Sequence, residues 1–110
     1  MSNTEIFRII NKNLQEVRIS NRSGSHLNCI RLNASCSDEH NLEIIKRCME
    51  YLKNGIPFLT ECIFVNGMRC DILLPATYPA LIEEIAVSES NESLANKQKK
   101  YPFPIKVIRL

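Results

Sequence analysis

The sequence predicts an α/β fold, a small mixed β-sheet flanked by helices, in the order helix, three strands, helix, strand, with an N-terminal extension. Three observations predict it. From Asn41 onward, Leu42, Ile45, Met49 and Leu52 recur at three- and four-residue intervals, and the pattern stops at Gly55 and Pro57. Asn66-Gly67 sits between two apolar runs, where two residues tolerant of positive φ make a hairpin turn. A run at 80–87, apolar apart from two carboxylates, is followed by a helix-compatible stretch and a β-rich one.

The elements follow in order. Residues 4–17 place Ile6, Ile10, Leu14 and Val17 at near-helical spacing behind Asn3 or Thr4 as a cap, with an extended reading of 16–20 as the alternative at its end. Residues 21–25, with Arg22 and Gly24, have the composition of a loop, and 27–32 is expected to form a short strand. Lys46, Arg47, Glu50 and Lys53 occupy the other faces of the helix that begins near Asn41. Gly55 ends that helix and Pro57 forbids its continuation, so 58–65 is extended. Residues 68–74 return as the second strand, and Pro75 and Pro79 bracket a loop. The run 80–87, apolar except for Glu83 and Glu84, reads as a central strand buried on both faces. Ser88 or Ser90 caps a helix over 91–100, Tyr101-Pro102 ends it, and 103–110 is the last strand.

A chain of 110 residues is expected to be one domain, 1–110, with a core over 41–110 and an extension over 1–40. At 45% hydrophobic and 24% charged residues it has the balance of an ordinary globular protein, which sets aside a disordered tail. The apolar runs at 56–65 and 72–74 fall far short of the roughly 20 residues that span a bilayer, so no membrane association is expected. The first residues lack a basic start, an apolar stretch and a small-residue cleavage site, and the expected location is intracellular, in the cytoplasm. Cys29, Cys36, Cys48, Cys62 and Cys70 are odd in number and form no C-x-x-C pair, which argues against a disulfide framework.

Net charge is only +2, yet it is unevenly spread. Residues 1–35 carry five basic and two acidic side chains, 36–90 four and nine, and 91–110 five and one. An acidic middle between basic ends is the pattern of a carboxylate site for a divalent cation framed by groups that meet phosphates. The acids that need explaining interrupt apolar strands: Asp71 between Cys70 and Ile72, Glu83-Glu84 in the third strand, and Glu61 in the first. A carboxylate in such surroundings is costly unless paired or bound to a cation, and Mg²⁺ or Mn²⁺ prefers oxygen donors. The plainer alternative has these acids facing water or pairing with Arg69 and Lys106.

Glu61, then Asn66-Gly67-Met68-Arg69-Cys70-Asp71-Ile72-Leu73, then Ile82-Glu83-Glu84-Ile85-Ala86-Val87-Ser88-Glu89-Ser90, Ser93-Leu94, Lys97 and Tyr101-Pro102 together resemble the PD-(D/E)xK nuclease superfamily. The resemblance covers 41–110, leaves the first forty residues unmatched, and implies the restriction-endonuclease-like αβββαβ core. It implies Asp71 and Glu84 as metal ligands, the Ile85 carbonyl as a third, and Glu61 as an assisting ligand to Mg²⁺ or Mn²⁺. Glu84-Ile85-Ala86 has alanine where the E-x-K motif has lysine. Some members of the superfamily carry that lysine on the following helix, and Lys97 fits the relocation, with Lys99 and Lys100 as fallbacks. Taking Glu83 as the ligand would point the acid to the opposite side of its strand.

The register of the hairpin decides Glu61. A two-residue turn pairs Cys62 with Asp71 and puts Glu61 on the other face, whereas a three-residue loop is expected to set Ile63 opposite Asp71 and bring Glu61 to its side. Glu43 or Glu50 of the preceding helix is the alternative outer ligand.

The implied chemistry is phosphodiester hydrolysis in DNA, weakly sequence-specific or structure-directed, with Asp71, Glu84 and Lys97 as catalytic residues and no nucleotide cofactor. Arg69, Lys99 and Lys100 are the candidate nucleic-acid contacts, with Arg8, Lys12, Arg18, Arg22 and Arg31 on one flank and Lys106 and Arg109 on the other. The small surface fits action as a homodimer. The alternative is a catalytically inactive nucleic-acid-binding or assembly module on the same scaffold, which Ala86 favours. A second motif, His26-x-x-Cys29 and Cys36-x-x-x-His40, has the residue types of a zinc site, against the reading of a polar loop with incidental cysteines.

Overall fold

The computed structural model describes residues 2–18 and 26–110. The loop expected at 21–25, with Arg22, and the end of the extended alternative at 16–20 lie outside the described residues. Among the described residues the fold is mixed α/β: three helices and one four-stranded mixed sheet.

Helix α1 (Asn3–Leu14) begins one residue earlier than its apolar spacing announces, because the Ser2 hydroxyl accepts from the Glu5 amide. Helix α2 (Asp38–Lys53) likewise starts ahead of the expected Asn41, capped by Ser37, whose side chain accepts from the His40 amide. Gly55, at φ +66°, carries the chain out of α2 in a conformation that costs glycine nothing. Strands β1 (Leu59–Ile63), β2 (Arg69–Leu74) and β3 (Leu81–Ala86) then form two antiparallel pairs. Helix α3 (Asn91–Lys100), capped by Ser90, crosses over so that β4 (Ile105–Arg109) lies parallel to β3. The sheet order is β1-β2-β3-β4, and Ile82 to Ala86 are all buried, as expected of the central run.

Two apolar clusters hold the sheet between its helices. Ile44 and Cys48 of α2 pack with Phe58, Ile72 and Ile85. Leu59, Leu73 and Ile82 pack with Val17, Phe64 and Tyr101, and the Phe64 ring meets Tyr101 and Phe103 edge-on at 5.9 and 6.0 Å. The chain after α1 joins the hairpin at its tip: Val17 bridges Phe64, and the Arg18 amide donates to the Ile63 carbonyl at 2.8 Å. Asn13 is buried, and its side-chain amide donates to the carbonyls of Pro75 and Thr77 at 2.8 and 2.7 Å. The extension is thereby fastened to the β2–β3 loop.

Two expectations are corrected. Residues 27–32 form no strand: Asn28 sits at φ +61°, and the Arg31 amide donates to the Thr60 hydroxyl, which itself donates to the Cys29 carbonyl. A side chain thus takes the place of a ladder bond. The hairpin has the three-residue loop of the second alternative, and Glu61 comes to the side of Asp71 as that alternative expects, but Ile63 is not the residue opposite Asp71. Its loop is Val65, Asn66 and Gly67, closed by the Phe64 amide on the Met68 carbonyl, so Thr60 pairs with Ile72 and Cys62 with Cys70, and Glu61 falls opposite Asp71. Ile63 pairs with Arg69. Among the described residues no helix is long and apolar enough to cross a membrane, and all five cysteines are free thiols.

Candidate active site at the fork between β2 and β3

The β2–β3 ladder runs from Leu74–Leu81 to Ile72–Glu83, and the next pair in register is Asp71 and Glu84. There side chains take the backbone bonds. The Asp71 amide donates to Glu84 Oε1 at 3.3 Å, and the Ile85 amide donates to Asp71 Oδ2 at 2.8 Å. Each carboxylate is thus fixed by the other's strand, two residues inside a buried sheet.

Helix α3 brings the remaining groups. Leu94 is buried and orients the helix, so Lys97 and Tyr101, three and seven residues on, lie over the fork. The Tyr101 hydroxyl lies 2.8 Å from Glu84 Oε1 and 2.7 Å from the Arg69 carbonyl. Lys97 Nζ is 3.5 Å from Glu84 Oε2, and it is held from behind by Glu89 at 2.9 and 3.0 Å. Glu89 in turn accepts from the Ser93 hydroxyl at 2.6 Å. On the other side His40 Nε2 lies 3.2 Å from Asp71 Oδ1.

The electrostatics follow from burial and crowding. Burial first, and then the charge of Asp71, push the Glu84 carboxyl up to about 7, against the Tyr101 hydrogen bond and the Lys97 charge. Burial works against the Lys97 ammonium, but Glu89, Glu84 and Asp71 outweigh it and hold its pKa above the ordinary lysine value. Burial and the Glu84 charge raise the Tyr101 hydroxyl, which keeps its proton. Two carboxylates crowded into a largely buried place are the kind of charge that a hard divalent cation relieves, and Asp71 and Glu84 are the side chains that could hold one.

The other expected residues divide clearly. Glu83 turns away from Glu84 to the α2 side, where Arg47 donates to it at 2.9 and 3.2 Å and the Tyr51 hydroxyl also bonds it. The strand alternation therefore assigns Glu84, not Glu83, to the fork. Glu61 sits opposite Asp71 with φ +49°, and burial and the Asp71 charge raise its carboxyl pKa. Arg69 is 3.7 Å from Glu61, so the pairing of Arg69 expected for strand acids falls on Glu61. Glu43 pairs with Arg47 at 3.4 Å and Glu50 with Lys53 at 3.7 Å, so neither takes the outer position beside Asp71. Lys99, Lys100 and Lys106 are exposed, and Arg109 is engaged by the Glu89 carbonyl and Asn91.

His40 is the site residue that the carboxylate pattern missed. Its only signal was its place in the cysteine-histidine motif, and the fold uses it differently, against Asp71. Among the described residues no three His, Cys, Asp or Glu side chains converge as a ready-made metal site, so His26, Cys29, Cys36 and His40 are not gathered into the zinc site their spacing allows.

Comparison with family models, with curated proteins and with solved structures finds no match to this chain.

Proposed function

We propose that the chain is a metal-dependent nuclease of the PD-(D/E)xK kind that hydrolyses phosphodiester bonds in DNA, with Asp71 and Glu84 holding Mg²⁺ or Mn²⁺. The observation that carries this reading is the reciprocal bonding of the two carboxylates at the fork, with the Lys97 ammonium beside Glu84. The run α2-β1-β2-β3-α3-β4, with β4 parallel to β3, supports a restriction-endonuclease-like core.

The Ile85 carbonyl is the third donor and Glu61, opposite Asp71, the outer acid. When bound, the cation supplies Lewis acidity and lowers the pKa of a coordinated water. The chain's own residues do the rest. The Ile85 amide and His40 hold the Asp71 carboxylate in place, and the Tyr101 hydroxyl does the same for Glu84. Lys97 keeps its proton and offers fixed positive charge to an oxyanion, while Glu89 and Ser93 prevent its swinging away. Lys99, Lys100 and Arg69 contact phosphates without reading sequence.

Ala86 favours a second reading. It is buried, with a strand position that holds no lysine, and an inactive nucleic-acid-binding or assembly module would need none. The test is cleavage of single-stranded, duplex and branched DNA with Mg²⁺ or Mn²⁺, by wild type and by Asp71→Ala. Metal-dependent cutting lost in the variant supports the nuclease. Metal-independent binding with no cutting of any substrate supports the second reading.

A further inference from the structure

Helix α2 carries two apolar faces, and the fold uses one. Ile44 and Cys48 are buried against the sheet, and Arg47 and Tyr51 reach Glu83. The second face holds Leu42, Ile45, Met49 and Leu52, the residues whose spacing announces the helix in the sequence. Leu42 is 64% exposed, Met49 48% and Leu52 49%, while Ile45 is half-buried. Intervals of three, four and three residues are the seam of two helices packed side by side, and apolar side chains in that register gain nothing from standing in water.

The charges beside the seam identify what covers it. Asp38 and Glu39 lie in the first turn of α2 and Lys53 in the last. When α2 is set antiparallel against the α2 of a second copy, Leu42 meets the second copy's Leu52, and Ile45 meets its Met49. Each Glu39 then lies beside a Lys53, giving two attractive contacts, and only Lys46 faces its own equivalent near the two-fold axis. A parallel arrangement would set each Lys46 beside Asn41 and each Lys53 beside Cys48, with no attractive charge contact. The opposed helix dipoles favour the antiparallel order as well. Lys53 also lies 3.7 Å from Glu50, an exposed contact of the kind that contributes little and leaves the ammonium free to reach across.

We propose that this face of α2 is the two-fold interface of a homodimer in which the two α2 helices pack antiparallel. The inference stands apart from the chemistry at the fork, since none of its residues touches Asp71, Glu84 or Lys97. A helix of 16 residues is about 24 Å long, which makes the contact modest in area and the dimer reversible.

Sedimentation over about 10 μM to 1 mM tests it, a range that brackets dissociation constants of weak dimers. Wild type is expected to pass from monomer to dimer, and Leu42→Glu to remain monomeric with unchanged helix content by circular dichroism. Glu39→Lys and Lys53→Glu should each weaken the dimer about tenfold or more. Mixed in equal amounts, those two variants should associate as tightly as wild type, because both 39–53 contacts between them are again attractive and the Lys46 contact is the same as in wild type. Lys46→Gln should tighten the wild-type dimer. A wild-type monomer throughout the range, or a dimer indifferent to Leu42→Glu, overturns the interface. A mixture no tighter than its separate components overturns the antiparallel order.

Discussion

The Ile85 amide donates to the Asp71 carboxylate at 2.8 Å across two strands, while the Asp71 amide donates to the Glu84 carboxylate one residue away from Ile85. A ladder that continued regularly would pair those amides with carbonyls. Here each strand holds the other's acid, so two like charges are kept together by the backbone itself.

That arrangement stores repulsion, and relieving it should stabilise the chain. Asp71→Asn keeps an oxygen for the Ile85 amide and removes the charge, so in the presence of a chelator it should raise the unfolding free energy by about 1 kcal/mol in urea titrations at pH 8. The same variant should lower metal-dependent cleavage by about a hundredfold or more. Loss of stability would show that the two charges are not in conflict.

Glu89 provides a pH signature. Burial works to raise its pKa, but hydrogen bonds from Lys97 and Ser93 and the charges of Lys97 and Arg109 prevail and hold it below the ordinary glutamate value. A depressed folded-state pKa contributes stability above the unfolded value and loses it as pH falls through the folded one. Wild type should therefore exceed Glu89→Gln by up to about 1 kcal/mol at pH 7, with the difference vanishing in acid below the depressed pKa. Denaturant midpoints across the acid range measure it. Cleavage should fall about tenfold in Glu89→Gln and about a hundredfold in Lys97→Met, because the amine survives in the first and is absent in the second.

Asn13 should be the costliest polar residue to remove from α1. It is 2% exposed and serves two carbonyls of the β2–β3 loop, so Asn13→Ala should cost about 2–3 kcal/mol by leaving the buried Pro75 acceptor and the part-buried Thr77 acceptor unmet. Asn13→Asp should cost more, since it offers oxygens to oxygens. Thermal unfolding of both variants provides the comparison.

Glu61 occupies left-handed backbone inside a strand, at φ +49°. Glu61→Gly should raise stability by about 0.5–1 kcal/mol, and Glu61→Ala, which removes the charge and keeps the backbone penalty, should gain less. Equal effects would assign the gain to charge alone. The same conformation at a candidate outer ligand is the kind of local cost that persists where the surrounding structure demands a side-chain direction.

Much of this was written locally in the sequence. Helix α3 occupies 91–100 as its composition predicts, since Ser90 and Tyr101-Pro102 mark both ends within a few residues. Asp71 and Glu84 were conspicuous because acids are rare in apolar strands, whereas Lys97 stood out only through the resemblance, which implies a lysine that Ala86 does not supply. The register of the hairpin was hidden, since Asn66-Gly67 serves a two-residue turn and a three-residue loop equally well. Asn13 and His40 were hidden for another reason. Their partners, Pro75, Thr77 and Asp71, are distant in the chain, and a lone polar residue on a helix announces no contact. The strand expected at 27–32 failed because its alternation is satisfied just as well by irregular chain bonded to Thr60. The spacing of Leu42, Ile45, Met49 and Leu52 found the helix and not its buried side.

Helix α3 is also the crossover that lets β4 run beside β3, and this ties its length to two clamps at once. The register from Ile82–Ile105 to Ala86–Arg109 fixes where the helix must return, and Tyr101 fixes how it lies. One extra residue ahead of Lys97 would turn the ammonium by about 100° around the axis and advance it about 1.5 Å, away from Glu84. Insertions and deletions between Ser90 and Tyr101 are therefore ruinous, so the length of this segment is as much a part of the fork as the acids themselves.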